Sequence, residues 1–539
     1  MEKRFWIVDT SNLSTVTTTF IGYTVTEDGQ FFYNKKPSTL DGTGSYTCVE
    51  SLPDKIIISQ DFEGMQGIYH FKKEERNIFS NGYYKLVEYI QNLKYPLTLD
   101  KGYCIQYIFS NEEAINMNDT LLNEVKRIGK DFRIEIYKND GNVVFTEINY
   151  KINTIKIDSE ETIPILDKWY YKWCKVFRSL VKMNSPLIVD LSGGFDSRAC
   201  FGMIMNSNID KNNISVKRNK AKKTSYKKNY DDWEISGLIL KEYNMEDRTN
   251  VKFFKNKIIK NPKNIELFDE FDNLIFGNSK ICDYTDHVFS EPIFHICGIY
   301  GDRNHLGDIQ EVNNYLNHKK IKFANDMREE DKKIFVQYID KYADIIFKKY
   351  EANNAPIFIG DFSFEYICRF FGAKITQKIF NNNILVCPFA DPSIHKIQTH
   401  LGDSSKNYHT LICLIYTRYF DVMLKFPFQT DSTPRVITEE EIQFAKKQCE
   451  LYPFKKIEYE IIPNLIDDKK IIYKYGYEEN DVREVLKQRL LAAESKFTAE
   501  FCKEYFELAM RDLKNDNIRL QNYLTPIVSI CSILNKLNN

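Results

Sequence analysis

The chain has 539 residues, too many for one ordinary hydrophobic core, and its 43% hydrophobic and 28% charged residues are typical of globular proteins. Lys and Arg (74) nearly balance Asp and Glu (75), which excludes an overall positive field that would recruit nucleic acid or an anionic membrane, although not local basic patches. The 12 scattered cysteines show neither a C-x-x-C pair nor zinc-ligand spacing, so we expect buried free thiols in a reducing compartment.

The beginning of the chain, MEKRFWIVDTSNLSTV, does not contain the long apolar core of a signal peptide. No stretch reaches the ~18 uncharged apolar residues that a helix needs to span a bilayer. We therefore expect a cytoplasmic protein with no membrane partner.

Residues up to about 155 predict mainly strands, because short apolar runs alternate with polar turns. These runs are DKIIISQDFEGMQGIYHF, KGYCIQYIF and FRIEIYKNDGNVVFTEI, the last with a turn at Asp140-Gly141. The segment YYKLVEYIQNL interrupts them with helical spacing. From TIPILDKWYYKWCKVFRSLVKM onward the apolar spacing is helical, and we place a domain boundary near residue 160.

Strands and helices alternate after that boundary. The strand LIVDLS is followed by a helix from Arg198 to about Asn206, the strand NISV (213–216), the helix DDWEISGLILKEYN and the strand VKFF. This alternation predicts a parallel α/β sheet with crossover helices. From about residue 315 to the end the sequence predicts mainly helices.

The stretch LIVDLSGGFDSR (187–198) carries the strongest chemical signal. A strand that ends in a glycine turn before a helix directs backbone N–H groups and the positive helix end at one point, where a phosphate can approach closely. Ser192 and Ser197 add hydroxyl donors. Asp196 would repel a bare phosphate, but Mg²⁺ between carboxylate and phosphate oxygens explains it. The alternative is an ordinary turn in which Asp196 and Ser197 cap the helix.

The string LSGGFDSR resembles the pyrophosphate loop of the N-type ATP pyrophosphatases, in particular the asparagine synthetase class, which includes β-lactam synthetase and the lasso-peptide cyclases. HICGIYGDRNHLG (295–307) resembles the second Mg²⁺ loop of that class, and CPFADPSI (387–394) resembles its P-F-x-D segment. The strand NISV lies where the adenine-contacting strand is expected. In the N-terminal half, SQDFEGMQGIYHFKKEERNIFSNGYYKLVEYI and TLLNEVKRIGKDFRIEI resemble the glutaminase-like domain that precedes the synthetase domain.

This resemblance implies an α/β protein in three parts. Residues 1–160 would form a degenerate Ntn-type (glutaminase-like) α+β sandwich domain, and 161–435 a parallel-sheet ATP pyrophosphatase (adenine nucleotide α-hydrolase-like) synthetase domain. Residues 436–539 would form a helical C-terminal extension of the synthetase domain. An active glutaminase domain needs Cys as its first mature residue, whereas Glu2 follows Met1 and the first cysteine is Cys48. We therefore expect that glutamine is not the nitrogen source.

The resemblance also implies the site residues. Asp196 and Asp302 would hold Mg²⁺ and act in catalysis. Tyr300, one place removed from a catalytic tyrosine of the class, is either part of a base or a packing residue. Glu365 either assists deprotonation of the amine or pairs with Arg369, and Lys406 is a positional candidate for steadying the adenylate. The residues expected to bind ATP are Leu191, Ser192, Gly193, Gly194, Asp196, Ser197, Val216 and Gly298.

The resemblance implies a Mg²⁺-ATP-dependent ligase that adenylates a carboxylate, releases pyrophosphate and forms an amide with an amine. The carboxylate would belong to a small molecule, a peptide or a glycan of a bacterial natural-product or surface-polysaccharide pathway, and the enzyme would act as a homodimer or with a pathway partner. The alternatives are a tRNA-modifying ATP pyrophosphatase and a non-catalytic nucleotide-binding relative.

The basic run VKRNKAKKTSYKKN (216–229), with its seven cations between residues 217 and 228, leaves two interpretations open. It is either a flap that reaches pyrophosphate, an acidic substrate or an RNA, or a solvated loop without a ligand. Asp231 and Asp232, which follow it, are interpreted as helix caps. His295 and His305 are interpreted as structural, because their spacing suits no zinc motif.

Overall fold

The computed structural model describes residues 5–110, 118–148, 155–218, 232–251, 255–260, 288–298, 309–324, 327–352, 382–398, 404–428, 438–455, 457–466, 471–476, 479–514 and 523–537. Within these ranges the fold is mixed α/β, with four sheets and thirteen α-helices.

The strands in chain order are β1 Ile7–Asp9, β2 Thr19–Val25, β3 Phe31–Tyr33, β4 Gly44–Ser51, β5 Lys55–Gln60, β6 Tyr69–Lys73, β7 Arg76–Ser80, β8 Val125–Arg127, β9 Phe132–Tyr137, β10 Val143–Glu147, β11 Leu187–Asp190, β12 Ile214–Lys217, β13 Lys255–Lys260, β14 Val288–Phe289, β15 Ile293–Ile296, β16 Asn383–Val386 and β17 Ile471–Gly476.

The helices are α1 Tyr83–Asn92, α2 Lys101–Ser110, α3 Thr162–Lys182, α4 Phe195–Asn206, α5 Asp232–Glu242, α6 Ile309–Ala324, α7 Glu329–Ala352, α8 Pro392–Gln398, α9 Ser404–Tyr419, α10 Glu439–Leu451, α11 Glu479–Glu500, α12 Lys503–Lys514 and α13 Leu524–Lys536.

Two antiparallel sheets occupy the N-terminal part, in the orders β1-β7-β6-β8 and β10-β9-β5-β4-β2-β3. They share a core because alternate residues of each strand point inward, as Ile56 and Ile58 do on β5. The turn predicted at Asp140-Gly141 is confirmed, and Gly141 there has φ +71°. Val8, Ile21, Val49, Phe79, Ile134 and Ile136 fill the space between the sheets.

The segment KGYCIQYIF, predicted as a strand, is helix α2, so that prediction is wrong. Asp100 precedes the helix and its Oδ1 accepts a hydrogen bond from Tyr103 N at 2.9 Å, as an N-terminal cap does. The segment is apolar on nearly every side, and such a run fits a period of 2 as well as a period of 3.6. Its length and its capping Asp were the signals that favoured a helix.

The C-terminal helices pack on the N-terminal part of the chain. Helices α11, α12 and α13 share one hydrophobic cluster with α1, α2 and α7, and this cluster also contains Tyr69, Phe71 and Ile78 of the four-stranded antiparallel sheet. The described residues after 315 are mainly helical, as predicted, but β16 and β17 interrupt the helices. The predicted domain limits at 160 and 435 stay predictions.

A four-stranded parallel sheet in the order β12-β11-β15-β16 confirms the prediction of a parallel α/β sheet. Val216, Val189, Ile296 and Val386 form one row across it, and all four side chains are fully buried. Helices α3, α4 and α9 share the core with this sheet. The predicted strands LIVDLS and NISV correspond to β11 and β12. Of the predicted strand VKFF, residues 252–254 lie outside the described residues.

A fourth, small sheet covers the other face of the parallel sheet. Its order is β13-β17-β14, with β13 parallel and β14 antiparallel to β17. Ile472 of β17 packs against Ile293 of β15 and Ile188 of β11. Among the described helices, none has the length and hydropathy that crossing a bilayer requires. The ten cysteines in these ranges are free thiols, nine of them buried.

Lys172 of α3 joins the antiparallel sheets to the parallel sheet. Its ammonium is buried and lies 3.0 Å from Asp391 Oδ2, 3.3 Å from Asp41 Oδ2 and 2.8 Å from Thr43 Oγ1. Asp391, the acid of the P-F-x-D segment, also accepts a hydrogen bond from Trp173 Nε1 at 3.0 Å. The acid of this segment therefore has a structural partner, because it neutralises a buried cation.

We expect Lys172→Met to destabilise the fold by about 3 kcal/mol or more, because it leaves the buried Asp391 carboxylate without its cation. Lys168→Met is the matched control: Lys168 lies one turn earlier on the same helix and pairs with Glu27 at the surface, where such a pair contributes less than about 1 kcal/mol. The free energy of unfolding, measured in urea, separates the two variants. Equal losses in both would contradict this role of Lys172.

Candidate functional site

The candidate site lies where the order of the parallel strands reverses. From β11 the chain moves to β12 on one side, and it later returns to β15 on the other side. Ligands of open α/β sheets bind outside the carboxyl ends of the strands at such a point. Residues 191–197 follow β11 there, and Cys297 and Gly298 follow β15.

Two backbone amides of the loop after β11 donate hydrogen bonds to serine side chains of the same loop. Ser192 N donates to Ser197 Oγ at 3.1 Å, Gly194 N donates to Ser192 Oγ at 3.1 Å, and the two hydroxyl oxygens are 2.8 Å apart. Helix α4 begins directly after Gly194, a residue without a side chain to cap it. The loop therefore collects amides, hydroxyls and a positive helix end at one point, which suits an anion.

The loop after β15 touches the loop after β11 at Gly298. A Cβ atom on residue 298 would lie 2.5 Å from both Asp196 C and Ser197 N, distances that no real side chain tolerates. Only glycine allows this contact between two backbones. The structure thus brings four of the predicted residues, Ser192, Asp196, Ser197 and Gly298, into one place.

Arg198 supports the carbonyl side of the loop. It is not among the site residues that the sequence predicts. Its side chain is fully buried and its Nη2 donates at 2.8 Å to Gly193 O and to Pro427 O. The guanidinium lies 4.0 Å from the centre of the Phe428 ring, which also stacks on Phe195 at 4.1 Å. Burial lowers the pKa of the Arg198 guanidinium to about 10, so it stays charged at neutral pH. Arg198 fixes the carbonyl side of the loop and makes no contact with its amides.

Asp232, the first residue of α5, reaches the amide side of the same loop. Its Oδ1 accepts a hydrogen bond from Gly193 N at 2.8 Å. The sequence had predicted only a helix cap for this residue. Sequence reasoning could not find this contact, because it joins positions 39 residues apart in the chain.

Leu191, predicted to bind ATP, and Val216, on the strand predicted to contact adenine, are neighbours at the carboxyl ends of β11 and β12. Both are buried, and the Val216 carbonyl already accepts a hydrogen bond from Asn250 N at 2.8 Å. Leu191 N donates to Lys217 O at 3.0 Å. Their backbones lie at the edge of the site, whereas the Val216 side chain belongs to the hydrophobic core.

Several predicted residues cannot be placed. Asp302, Tyr300, Glu365, Arg369, His305 and Asp231 lie outside the described residues, as does the basic run from residue 219 onward. Lys406 lies in α9.

Two of the basic run's seven cations lie within the described residues. Arg218 packs its guanidinium 3.6 Å from the centre of the Trp233 ring and donates from Nε to Ser236 Oγ at 2.9 Å. Lys217 lies 3.9 Å from Asp190 and is half exposed. Arg218 therefore anchors the beginning of α5.

His295 of β15 is buried, and its Nε2 lies 3.0 Å from Asp190 Oδ1 of β11, although not in hydrogen-bonding geometry. It lies in the cross-strand row that contains Ile188, on the face covered by the small sheet β13-β17-β14. This position agrees with the structural role predicted for it.

A Mg²⁺-ATP complex requires carboxylates for the metal ion and hydrogen-bond donors for the phosphates. Among the described side chains, no group of three or more His, Cys, Asp or Glu residues could hold a metal ion by itself. Mg²⁺ in nucleotide sites usually takes one or two carboxylates, and phosphates and water supply the rest. Asp196, half-buried beside the amides of the loop, fits that requirement. No protein-family model matches this chain, and no curated protein matches it either.

We expect Gly298→Ala to destabilise the protein by roughly 1–3 kcal/mol, because its Cβ would force the two loops apart. Gly194→Ala is the matched control in the same site: its Cβ would meet only Ser192 Oγ, at 3.3 Å, and Gly194 has φ −74°, which alanine adopts readily. Thermal unfolding of both variants tests the contact. A Gly298→Ala variant as stable as wild type would show that the loops do not meet as described.

Proposed function

We propose that this protein is a Mg²⁺-ATP-dependent, AMP- and pyrophosphate-forming amide synthetase of the asparagine synthetase class. The observation that carries the proposal is the contact of Gly298 with Asp196 and Ser197, because it joins the two predicted phosphate and metal loops at the switch point of a parallel sheet. The proposal includes an ATP pyrophosphatase domain built on that sheet and an Ntn-type domain built on the two antiparallel sheets.

In the proposed reaction, a carboxylate oxygen of the substrate attacks the α-phosphorus of ATP and the bond to the β-phosphate breaks. Pyrophosphate leaves, and an amine then displaces AMP from the acyl adenylate. The amides of Gly193 and Gly194, the Ser192 and Ser197 hydroxyls and the N-terminus of α4 would stabilise the charge of the departing pyrophosphate. Asp196, with Asp302, would hold Mg²⁺, which when bound neutralises phosphate charge.

The two antiparallel sheets of the N-terminal part support the proposal that the nucleophile is an amine other than glutamine-derived ammonia. Cys48, on β4, is buried, and burial raises the pKa of its thiol to about 12, so it is not a nucleophile at neutral pH. Trp6, directly before β1, is also buried. Its backbone N donates to Asn81 Oδ1 at 2.9 Å and its indole donates to Thr47 Oγ1 at 3.1 Å. The indole of Trp6 thus reaches β4, the strand that carries Cys48.

We expect Asp196→Asn to lower the rate of AMP formation from Mg²⁺-ATP at least ~100-fold, because an amide is a poor ligand for a hard cation. The protein is incubated with ATP and a pool of carboxylates and amines, and AMP, ADP and pyrophosphate are separated by chromatography. Asp247→Asn removes an equal charge from an exposed surface pair with Lys211 and should keep wild-type activity. The appearance of ADP and phosphate in place of AMP would contradict the proposed AMP-forming reaction.

We expect no release of glutamate from glutamine above background, with or without ATP, because the Cys48 thiol is protonated and buried. Cys48→Ala should leave AMP formation unchanged. Glutamate release that disappears in Cys48→Ala would show instead that this domain is an active glutaminase, and coupled enzymatic detection of glutamate suffices to decide.

A further inference from the structure

The amide side of the loop after β11 already holds a carboxylate. Three successive amides there, those of Ser192, Gly193 and Gly194, have hydrogen-bond acceptors within the protein. Two of these acceptors are neutral serine hydroxyls of the loop. The third, Asp232 Oδ1, is an anionic oxygen that comes from a different element, α5.

Gly193 is held from two sides by opposite charges. Its carbonyl accepts a hydrogen bond from the buried Arg198 and its N–H donates to Asp232, both at 2.8 Å. The Arg198 charge is fixed by Pro427 O and by the Phe428 ring, so it cannot follow a ligand. Asp232 is half-buried and is the first residue of α5.

We propose that Asp232 is a displaceable internal anion that competes with the phosphates of ATP for the Gly193 amide. This inference rests on the proposed function, because it assigns to that loop a phosphate ligand. A phosphate oxygen that takes the Gly193 N–H must expel Asp232 Oδ1, and a carboxylate left nearby repels the incoming charge. Asp232 thus accepts the hydrogen bond of the Gly193 amide in the free protein and lowers the affinity of the loop for phosphate.

A competing role for Asp232 can be distinguished from a purely structural role in the loop. A structural residue stabilises the binding conformation, so its loss weakens the affinity for a ligand. A competitor occupies the binding group, so its loss strengthens the affinity. The sign of the change in affinity for inorganic pyrophosphate therefore separates the two roles.

The test measures the affinity of the full chain for inorganic pyrophosphate and for ATP, each with and without Mg²⁺, by isothermal titration calorimetry. We expect Asp232→Ala to bind metal-free pyrophosphate roughly 10- to 100-fold more tightly than wild type. Asp232→Asn keeps an oxygen acceptor but not the charge, so its affinity for pyrophosphate should lie between those of wild type and Asp232→Ala. Glu234→Gln is the matched control, because it removes an equal charge from the exposed side of the same first turn of α5; it should stay within about twofold of wild type.

Equal or weaker pyrophosphate binding by Asp232→Ala, in a variant whose thermal unfolding matches wild type, would overturn the competition while leaving the proposed function intact. If Asp232→Ala fails to fold, the change in pyrophosphate affinity of Asp232→Asn decides the question: tighter binding than wild type supports the competition, and equal or weaker binding contradicts it. If neither wild type nor any variant binds pyrophosphate or ATP, the proposed function itself fails and the inference fails with it.

Discussion

The contact between two backbones at Gly298 is the constraint on which the site depends. Parallel strands β11 and β15 are adjacent, so the loops that follow them must leave the sheet side by side. At this edge the second loop passes within van der Waals distance of the first turn of α4, and a side chain at position 298 would block it. The positions of Asp196 and Ser197 relative to the second loop therefore follow from one missing methyl group.

A buried cation holds the opposite side of the same loop. Arg198 brings a charge into the core, which costs free energy unless its donors are used. Its hydrogen bonds to the Gly193 and Pro427 carbonyls and its contact with the Phe428 ring supply that compensation. The consequence is a loop with a rigid carbonyl side and an amide side whose acceptors can be exchanged. Such preorganisation is what a site that stabilises a departing anion requires.

Much of the scaffold of the site could be predicted from the sequence, because strong local patterns agree with the tertiary structure there. The hydrophobic run of β11 and the glycine turn after it stand out in the sequence, as do the alternating residues of the strands in the two antiparallel sheets. The prediction failed for α2, where burial on all sides removes the periodicity that distinguishes a helix from a strand.

Contacts between distant positions could not be predicted. Nothing in the local pattern around Lys172 shows that it meets Asp391 and Asp41, and nothing around Asp232 shows that it meets Gly193. Arg198 follows the loop motif directly, but its burial depends on the carbonyls of residues 423–427, more than 200 positions away. These three residues are polar groups whose roles are set by the fold rather than by their neighbours in sequence.

A crystal structure of the protein with Mg²⁺ and α,β-methylene-ATP, which cannot be cleaved between those phosphates, shows directly whether the loop after β11 binds the phosphates of ATP. We expect the β- and γ-phosphates to lie against the Gly193 and Gly194 amides and the Ser197 hydroxyl, with the metal ion at Asp196. A nucleotide bound elsewhere, or phosphates that do not contact this loop, would contradict it.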